Sequence, residues 1–400
     1  MRIALYYPWV YLTSGAERTL LELTGRSRHE WTIFTSHYDP AHTFPGFAQR
    51  NVVEVGRAGV KRSIGAVGQA AWQILNLKLP LENYDALVVM CEGLGDLVLF
   101  RNSSRPALCI CLTPLRVVFD EDYRKKWFEK TSLAGRGALT LASSLFASID
   151  RIAWKRYRRI FCISSEAKRR AVKGRLGTEE SLEVLHVGLG HEPQTPSTRF
   201  DRYFLLPGRI MWTKNIELGI EAFLKFRTSR PEFADFRLII AGIVDEKSKP
   251  YLAKLREMAG TGQGIEFRIF PPDEEFAELY RNCYSVLFTA FNEDWGIVPL
   301  EGMAFGKPVI AVDRGGPKES VVHGVTGLLA PPEPAQFAEY MELLAGDAAL
   351  TERMGRAGNA HCRRFSWDRF TDRIDDELEN IAQVAEAAGS KNLAGSATRG

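Results

Sequence analysis

Short apolar runs alternate along this chain with longer segments in which apolar residues recur at helical spacing. The runs predict strands at 2–7, 32–35, 86–90, 107–112 and 160–163, and a second set at 203–206, 237–240, 265–269, 285–289 and 309–312. Strands that are apolar on both faces and separated by helices are typical of parallel sheets covered on both sides. The pattern therefore predicts an α/β protein with two doubly wound, Rossmann-like domains that face each other across a cleft.

A polar, Pro-rich stretch separates the two sets of strands and predicts the domain boundary. We expect an N-terminal domain at 1–192, a linker at 193–199 and a second domain at 200–365. A helix at 366–388 is long enough to cross back and pack on the N-terminal domain. Residues 389–400 are rich in Gly, Ser and Ala and are expected to form a disordered tail. Ligands of open parallel sheets bind at the carboxyl ends of the strands, so one active site is expected in the cleft.

Composition narrows the class of protein. The 400 residues are 45% hydrophobic and 25% charged, with a formal net charge of +3, which are values of an ordinary globular protein. No window holds the roughly 18 uncharged apolar residues of a membrane-spanning helix, and the chain opens on a strand rather than a signal peptide. We therefore expect a cytoplasmic location. The six cysteines lack the spacing of a zinc site or a disulfide framework, and five lie in apolar runs, where burial is expected.

Two glutamates, Glu293 and Glu301, flank the segment Trp295-Gly296-Ile297-Val298. The first is expected in a loop after a strand and the second on the next helix, so that one site gains two anionic acceptors for sugar hydroxyls. The backbone N–H groups between them lie at a helix N-terminus, where the helix dipole favours phosphate. Two alternatives remain: an acid/base pair for hydrolysis, or a surface loop residue followed by a helix charge that complements the dipole.

Two cations follow the first strand of the second domain. Arg209 comes directly after Gly208, and Lys214 precedes a helical segment that begins near residue 216. Their position suits the neutralisation of a diphosphate leaving group by charge-assisted hydrogen bonds without a metal ion. The alternative is a pair of solvent-facing cations beside a turn.

Small residues open the first helix of the chain. Gly15 and Ala16 follow the first strand and let the backbone approach a phosphate or a sugar closely. Glu17 comes next. Its negative charge at the start of the helix can simply complement the helix dipole. In the second domain, Phe270 follows the strand at 265–269 and can either stack on a nucleotide base or pack in the core.

Taken in order, these segments resemble the retaining GT4-type glycosyltransferases of the GT-B superfamily. Their motifs here are Ser14-Gly15-Ala16-Glu17-Arg18, Gly208-Arg209 with Lys214-Asn215, the segment from Glu293 to Glu301, and Gly315-Gly316-Pro317-x-Glu319. Thr113-Pro114-Leu115-Arg116 is similar to their mannosyltransferase-like branch. The resemblance implies a GT-B fold and a retaining, metal-independent hexosyltransferase that uses a nucleotide-sugar and no further cofactor.

The resemblance also implies roles for individual residues. Glu293, Arg209 and Lys214 would be catalytic. The donor-binding set would be Gly15, Ala16, Arg209, Lys214, Phe270, Glu293, Trp295, Gly296, Ile297, Val298 and Glu301. The pocket for the acceptor or the sugar would contain Glu17, Leu112, Thr113 and Arg116.

Leu112 is the departure from the family that bears on the substrate. The mannosyltransferase-like branch has a histidine here, which contacts the outer hydroxyls of the donor sugar. Because leucine forms no side-chain hydrogen bond, a hydroxyl facing it would remain unpaired at a cost of about 1–3 kcal/mol. One hypothesis is a donor that lacks this hydroxyl, a 6-deoxysugar or a pentose. The alternative is that Thr113 or a shifted loop supplies the bond.

The N-terminal domain combines an apolar helical stripe, from Ala138 to Ile152, with two basic regions at 123–128 and 151–175. One interpretation is peripheral contact with anionic lipid on the inner face of a membrane. The other is a solvated helix face, with the apolar stripe packed on the sheet. Nucleic acid is not expected as a partner, because no RNA-binding signature is present and the aromatic residues are few.

The resulting hypothesis is transfer of a sugar from GDP-mannose, or a GDP- or dTDP-deoxysugar, to a glycan or lipid-linked acceptor in cell-surface polysaccharide or glycoconjugate biosynthesis. The alternatives are a nucleotide-sugar 2-epimerase of the same fold and a non-catalytic subunit that binds the sugar nucleotide. A phosphorylase of this architecture would need a pyridoxal lysine, which no motif indicates.

Overall fold

The computed structural model describes residues 1–56, 59, 64–129, 131–190 and 192–397. The chain divides into two compact units, of which unit 1 contains Met1–Gly188 and Trp367–Gly400, and unit 2 contains Leu189–Ser366. Each unit is built around a parallel sheet with flanking helices. The prediction of an α/β protein with two doubly wound domains is confirmed.

Unit 1 contains a seven-stranded sheet in the order β3-β2-β1-β4-β5-β6-β7. Its strands are β1 (Arg2–Tyr6), β2 (Glu30–Thr35), β3 (Asn51–Glu54), β4 (Ala86–Cys91), β5 (Ala107–Cys111), β6 (Tyr157–Cys162) and β7 (Leu182–Val184). Its helices up to this point of the chain are α1 (Gly15–Arg26), α2 (Ile64–Asn76), α3 (Arg116–Phe119), α4 (Glu121–Glu129), α5 (Leu133–Trp154) and α6 (Ser165–Lys173). The central strands β4 and β5 are buried at every residue, as their apolar sequences require.

Unit 2 contains a six-stranded sheet in the order β10-β9-β8-β11-β12-β13. Its strands are β8 (Tyr203–Pro207), β9 (Arg237–Gly242), β10 (Ile265–Ile269), β11 (Ser285–Phe288), β12 (Val309–Val312) and β13 (Gly327–Ala330). Its helices are α7 (Ile216–Ser229), α8 (Lys249–Ala259), α9 (Asp273–Asn282), α10 (Ile297–Ala304), α11 (Pro317–Ser320), α12 (Pro334–Gly346) and α13 (Ala348–Cys362). The first strand of the unit lies near the middle of the sheet, so the strand order reverses beside β8, where such sheets bind ligands.

Three strands were not predicted from the sequence, namely β3, β7 and β13. Each is only three or four residues long and lies at one edge of its sheet. Strands β3 and β7 have only two apolar residues each beside charged or polar ones, as edge strands often do, so they lack a continuous apolar run. Strand β13 is apolar, but its four residues are too short a run to distinguish from a loop or a helix. The ten predicted strands are all present, with ends shifted by at most a few residues.

The predicted linker belongs to unit 2. The backbone N–H of Gln194 donates to the carbonyl of Ala304 at 2.9 Å, and that of Ser197 donates to Phe305 at 3.2 Å. The side-chain amide of Asn359 donates to the carbonyl of Gln194 at 3.0 Å. The division of the chain therefore falls between Gly188 and Leu189, and residues 193–199 are held on the second unit.

The last helix, α14 (Trp367–Ala397), returns to unit 1 and packs on α1. The carboxylate of Asp375 is buried there and accepts from the Ser27 hydroxyl at 2.7 Å and from the backbone N–H of Arg28 at 3.0 Å. The helix continues to Ala397. The expectation of a disordered tail from residue 389 stays a prediction.

Candidate functional site

A loop between β11 and α10 carries Glu293, and a pair of glycines shapes it. The backbone N–H of Gly316 donates to the carbonyl of Glu293 at 2.9 Å. A Cβ on Gly315 would lie 2.2 Å from the carbonyl oxygen of Glu293, and a Cβ on Gly316 would lie 2.0 Å from that of Trp295. Only glycine permits such an approach of two backbones. The late glycine motif therefore fixes the course of the Glu293 loop.

Lys214 and Glu293 come together in this loop. The Lys214 ammonium donates to both carboxylate oxygens of Glu293, at 2.7 and 2.6 Å. The carbonyl of Lys214 accepts from the Thr289 hydroxyl at 2.8 Å, which ties the lysine to the end of β11. The Lys214 side chain is 17% exposed and that of Glu293 31%, so a ligand can reach both. Among the sequence-predicted catalytic residues, the structure joins these two.

Arg209 lies after β8 at the same carboxyl edge of the sheet. Its side chain is exposed, and within the described ranges its guanidinium has no hydrogen-bond or ion-pair partner. The preceding Gly208 has a φ of +132°, a backbone conformation that side chains rarely permit. This free cation can bind an anion without giving up an existing interaction.

Phe270 follows β10 at the same carboxyl edge. Its side chain is 62% exposed and its φ is +56°. The backbone N–H of Phe270 donates to the carbonyl of Gly242 at 2.9 Å, which holds the turn in place. The alternative that Phe270 packs in the core is therefore wrong, and the ring is available to stack on a base.

Glu301 lies on α10, and the phenol of Tyr280 donates to its Oε2 at 2.6 Å. Tyr280 is fully buried on α9, with its ring stacked on Phe305 at a centroid distance of 5.6 Å. Burial, together with the charge of Glu301, raises the pKa of Tyr280 well above its ordinary value, so the phenol stays a donor. Sequence analysis missed Tyr280, because no spacing pattern links a tyrosine on one helix to a carboxylate on the next.

The segment before α10 turns sharply. Gly296 has a φ of +78°, and a Cβ there would lie 2.8 Å from the ring of Phe288. Trp295 is buried, and its ring packs against Phe365 at a centroid distance of 5.2 Å. This turn places Ile297 and Val298 in the first turn of the helix, where backbone N–H groups favour an anion.

In unit 1, Glu17 takes part in a helix cap. The side chain of Ser14 accepts from the backbone N–H of Ala16, and its hydroxyl donates to Glu17. The other Glu17 oxygen accepts from the backbone N–H of Leu12 at 3.2 Å. Burial raises the pKa of this carboxyl, although these hydrogen bonds oppose the shift. A Cβ on Gly15 would meet nothing within 4 Å, so the space beside the helix start is open. Contact of Glu17 with a sugar stays a prediction.

Thr113 and Arg116 belong to a buried charged network that was not predicted. The guanidinium of Arg170, only 2% exposed, donates to the Thr113 hydroxyl at 2.8 Å and lies 3.2 Å from Asp120. Arg116 donates to the same Asp120 oxygen at 3.1 and 2.9 Å. Burial acts to raise the pKa of Asp120, but Arg170, the Tyr123 N–H and Arg116 bring it below its ordinary value.

Leu112 is buried, 7% exposed, and its backbone N–H donates to the carbonyl of Cys91 at 2.9 Å. The hydroxyl of the neighbouring Thr113 donates to the carbonyl of Pro114 at 3.1 Å and also accepts from Arg170. The proton of this hydroxyl is therefore already engaged, which weighs against the alternative in which Thr113 replaces the missing histidine.

The interpretation of α5 as an ordinary solvated helix required its whole apolar stripe to be packed against the protein, and part of that stripe is exposed. Leu139 and Ala147 are buried, whereas Leu141, Leu145 and Ile152 are exposed. The basic regions are partly neutralised by carboxylates, in the ion pairs Lys173–Glu121, Lys168–Glu179, Arg169–Glu166 and Arg159–Glu183. In the part of the chain that the structure describes, no helix has both the length and the apolar character needed to cross a bilayer.

No group of three or more His, Cys, Asp or Glu side chains arranged to hold a metal ion occurs among the described residues. All six cysteines are buried and none forms a disulfide, and burial was expected for the five in apolar runs.

Comparison with known proteins agrees with this geometry. Residues 192–361 match the family model of glycosyl transferases group 1. Over 396 residues the chain is 29% identical to the alpha-1,3/1,6-mannosyltransferase ALG2 of Homo sapiens, covering 90% of this chain and 91% of that protein.

Two solved structures share the fold. Sucrose-phosphate synthase from Thermosynechococcus elongatus has a TM-score of 0.73 at 17% identity, over 96% of this chain and 100% of its own. Anabaena HepE in complex with UDP and glucose has a TM-score of 0.69 at 18% identity, over 95% and 100%. The family model over residues 192–361, the relatives and the shared fold together support a glycosyltransferase with the GT-B fold that is similar to the mannosyltransferase-like branch of the GT4 type.

Proposed function

We propose that the chain is a retaining, metal-independent glycosyltransferase that uses a nucleoside-diphosphate sugar. Its acceptor is a hydroxyl of a glycan or a lipid-linked saccharide, in cell-surface polysaccharide or glycoconjugate biosynthesis. The observation that carries the proposal is the contact of Lys214 with both oxygens of Glu293, at a sheet edge that also presents the unpaired Arg209. Two cations suited to a diphosphate and a carboxylate suited to a sugar, all at this edge of the sheet, support the proposal.

Binding of the donor changes the partner of Lys214. In the protein alone, its charge is satisfied by Glu293. A diphosphate offers the lysine a more highly charged anion, so the ammonium turns to it and the Glu293 carboxylate becomes available to accept from the sugar hydroxyls. Arg209 adds a second cation that has no competing partner among the residues the structure describes. The site therefore exchanges an internal ion pair for contacts with the substrate.

In the reaction, the bond between the anomeric carbon and the diphosphate breaks, and the electron pair leaves with the diphosphate. Lys214 and Arg209 stabilise the negative charge that develops there, which is the work of a metal ion in other enzymes. The acceptor hydroxyl attacks from the face that the diphosphate leaves, so the configuration is retained. Its proton passes to the departing phosphate, and Glu293 supports the positive character of the sugar.

The nucleoside is bound by side chains of unit 2. The exposed ring of Phe270 stacks on the base, with about 1–3 kcal/mol for such a contact. Glu301 accepts from the ribose hydroxyls through the oxygen that Tyr280 does not occupy. GDP is the proposed nucleotide, because the relative that aligns over 90% of the chain is a mannosyltransferase.

For the sugar, the buried Leu112 and the engaged hydroxyl of Thr113 favour a donor that lacks one outer hydroxyl, a GDP-6-deoxyhexose, over GDP-mannose. An apolar contact discriminates modestly, by about 10–200-fold. Turnover of GDP-mannose and GDP-6-deoxymannose under the same conditions measures the preference. A clear preference for the hexose leaves GDP-mannose as the donor.

We further propose a cytoplasmic enzyme that binds peripherally to an anionic membrane surface through α5 and the basic regions 123–128 and 151–175. The exposed Leu141 and Leu145 can enter the interface, and each nearby cation adds about 1 kcal/mol. A lipid-linked acceptor would be met at this surface.

The catalytic assignment is tested by Lys214→Met, Arg209→Gln and Glu293→Gln. Each variant removes one charged group that acts on the transition state, and kcat should fall by about 10²- to 10³-fold. The donor is first chosen by the thermal shift that GDP-, UDP- and dTDP-sugars produce, since a bound ligand raises Tm. Transfer to a glycolipid fraction is then measured by product mass.

The control is Arg353→Gln, which removes an exposed charge from α13 of the same unit and should leave kcat unchanged. Donor incubated without acceptor is analysed in parallel, because an epimerase would convert it alone. Transfer at the normal rate by all three variants, with an unchanged Tm, would refute the assignment. Intact donor in every mixture would indicate a binding subunit instead.

A further inference from the structure

Unit 1 contains a polar groove that the transfer reaction does not use. It has a volume of about 340 Å³ and lies among α3, α4, α5 and the end of α6. Three cations line it, Arg124, Arg151 and Lys173, against the single carboxylate of Glu121. The rest of the α5 wall is made mainly of hydroxyl side chains. A cavity with this lining suits a hydrated anion rather than an apolar ligand.

Two of the three cations are held by backbone carbonyls. The Arg124 guanidinium donates to the carbonyl of Val118 at 3.2 Å, and that of Arg151 donates to the carbonyl of Gly174 at 2.9 Å. Within the described ranges, neither arginine forms an ion pair with a carboxylate. Each carbonyl occupies one of five N–H donors, so the remaining donors can turn to an anion.

The remaining charges offset these cations only weakly. Lys173 pairs with Glu121 at 3.0 Å, but both side chains are more than half exposed, and such surface pairs hold weakly. Asp150 is the neighbouring carboxyl on α5. Burial and the charge of Asp96 raise the pKa of Asp150 well above its ordinary value, although the charge of Arg151 acts against this shift. The Asp150 carboxyl is therefore harder to ionise than an ordinary aspartate.

The hydroxyl groups of α5 divide into two kinds. Those of Thr140, Ser144 and Ser148 donate to carbonyls one turn earlier in the helix, at 2.8, 3.0 and 3.0 Å. Ser143 is only 6% exposed, and its buried hydroxyl has no hydrogen-bond partner among the described residues. A buried donor without a partner is rare in native proteins and needs an explanation. A ligand oxygen in the groove supplies one.

The neighbouring face of α5 indicates the source of the ligand. Leu141, Leu145 and Ile152 are 74%, 63% and 52% exposed and share one stripe at helical spacing. Each follows a groove residue by one position, namely Thr140, Ser144 or Arg151. One helix thus presents an apolar stripe beside a cationic groove, which is the arrangement of a surface that meets a lipid interface.

We propose that this groove binds the phosphate of a lipid headgroup while the exposed stripe of α5 enters the adjoining interface. The inference rests on the membrane contact proposed above and gives it a specific site. Arg124 and Arg151 bind the phosphate through charge-assisted hydrogen bonds, and the Ser143 hydroxyl donates to a phosphate oxygen.

The test uses the full chain and vesicle flotation. Phosphatidylcholine vesicles with phosphatidic acid present exposed phosphate, and vesicles with oleate, matched in zeta potential, present carboxylate. The wild type should bind the first more tightly. The variant Arg124→Gln/Arg151→Gln should lose roughly 10- to 30-fold in affinity for the phosphate vesicles, whereas Arg353→Gln/Lys225→Gln, which removes the same charge from exposed sites in unit 2, should lose little.

Two further variants separate the groove from the stripe. Ser143→Ala should weaken binding to the phosphate vesicles without lowering Tm, because it deletes a hydroxyl that has no hydrogen-bond partner in the described part of the chain. Leu141→Gln/Leu145→Gln should weaken binding to both kinds of vesicle.

Three outcomes overturn the proposal. Equal binding to both vesicles at matched zeta potential shows a contact by charge alone. Equal losses of affinity for the phosphate vesicles in Arg124→Gln/Arg151→Gln and in the control variant also show a contact by charge alone. The third outcome is that glycerol 1-phosphate binds saturably, that Leu141→Gln/Leu145→Gln does not change this binding, and that the wild type binds the phosphate vesicles no more tightly than the oleate vesicles. The groove would then be a site for a soluble phosphate. Transfer assayed in detergent reports separately on the reaction, so its failure is distinguishable.

Discussion

Two lysines of unit 2 show how differently one side chain can be used. Lys214 is partly exposed and contacts a carboxylate, a state from which a substrate anion can withdraw it. Lys307 is fully buried, where its ammonium donates to the carbonyl of Arg199 and lies 3.8 Å from the centroid of the Phe200 ring. A carbonyl and a ring replace water poorly, so burial lowers the pKa of Lys307 to about 8.

This pKa predicts a pH dependence of stability. Because the pKa of Lys307 is lower in the folded protein than in the unfolded chain, the unfolded chain binds more protons between pH 8 and pH 10.5. Raising the pH through this window therefore favours the folded state, by up to about 1.4 kcal/mol per pH unit. Urea unfolding at several pH values should show the wild type gaining stability relative to Lys307→Met. A constant difference between the two proteins would contradict the buried cation.

Single residues also mark where sequence reasoning ends. Lys214 and Glu293 could be found because their motifs carry the chemistry in a short segment. Tyr280, Asp120 and Arg170 could not, because each acts through a contact between segments distant in sequence. For Phe270 the two alternatives were equal in sequence, and its left-handed backbone with an exposed ring decided between them.

At the scale of elements, glycines shape the loop that carries Glu293, and the apolar stripe of α5 shapes the surface proposed to meet lipid. The strands of both sheets could be predicted from apolar runs, except at the edges. The helical spacing of α5 also predicted a helix but not which apolar stripe would face the core. Leu139 packs inward while Leu141 remains exposed, because residues two positions apart in a helix point to nearly opposite faces.

The glycine contact between two loops gives the prediction at this scale. Gly316 has a φ of −57°, so alanine fits its backbone, and only the Cβ at 2.0 Å from the Trp295 carbonyl is unfavourable. Gly316→Ala should destabilise unit 2 by about 1–3 kcal/mol and weaken donor binding, because the Glu293 loop must move. Gly346→Ala is the matched control, since a Cβ there meets nothing within 4 Å. Calorimetry with and without donor measures the stability and the donor affinity of each variant. Equal values for the two variants would show that the Glu293 loop can move at no cost.

At the scale of the whole molecule, the two units are built in different ways. Unit 2 is one continuous stretch, Leu189–Ser366, whereas unit 1 needs both Met1–Gly188 and the helix that begins at Trp367. This helix is tied to the first part of the chain by Asp375 and by the contacts of Arg373 with Glu183 at 3.0 and 2.9 Å. The sequence predicted the returning helix but not the contacts that hold it.

The buried carboxylate of Asp375 tests the importance of this closure. In Asp375→Asn an amide N–H₂ faces the Ser27 hydroxyl or the Arg28 N–H, and a buried donor loses its partner. Unit 1 should lose about 1–3 kcal/mol in stability, while donor affinity in unit 2 stays unchanged. Asp376→Asn removes an exposed charge from the same helix and should cost less than about 1 kcal/mol. Similar denaturation midpoints for both variants would show that the helix contributes little.

The return of α14 to unit 1 has a consequence for synthesis on the ribosome. The surface of α1 that the helix covers stays open while the whole of unit 2 is being translated, because the residues that cover it, from Trp367 on, follow unit 2 in the chain. Unit 2, whose residues are contiguous, can reach its native state first, although it is the second to leave the exit tunnel. During synthesis, unit 2 can therefore be folded while unit 1 still lacks its last helix. We expect chaperones to bind the exposed surface of unit 1 at this stage.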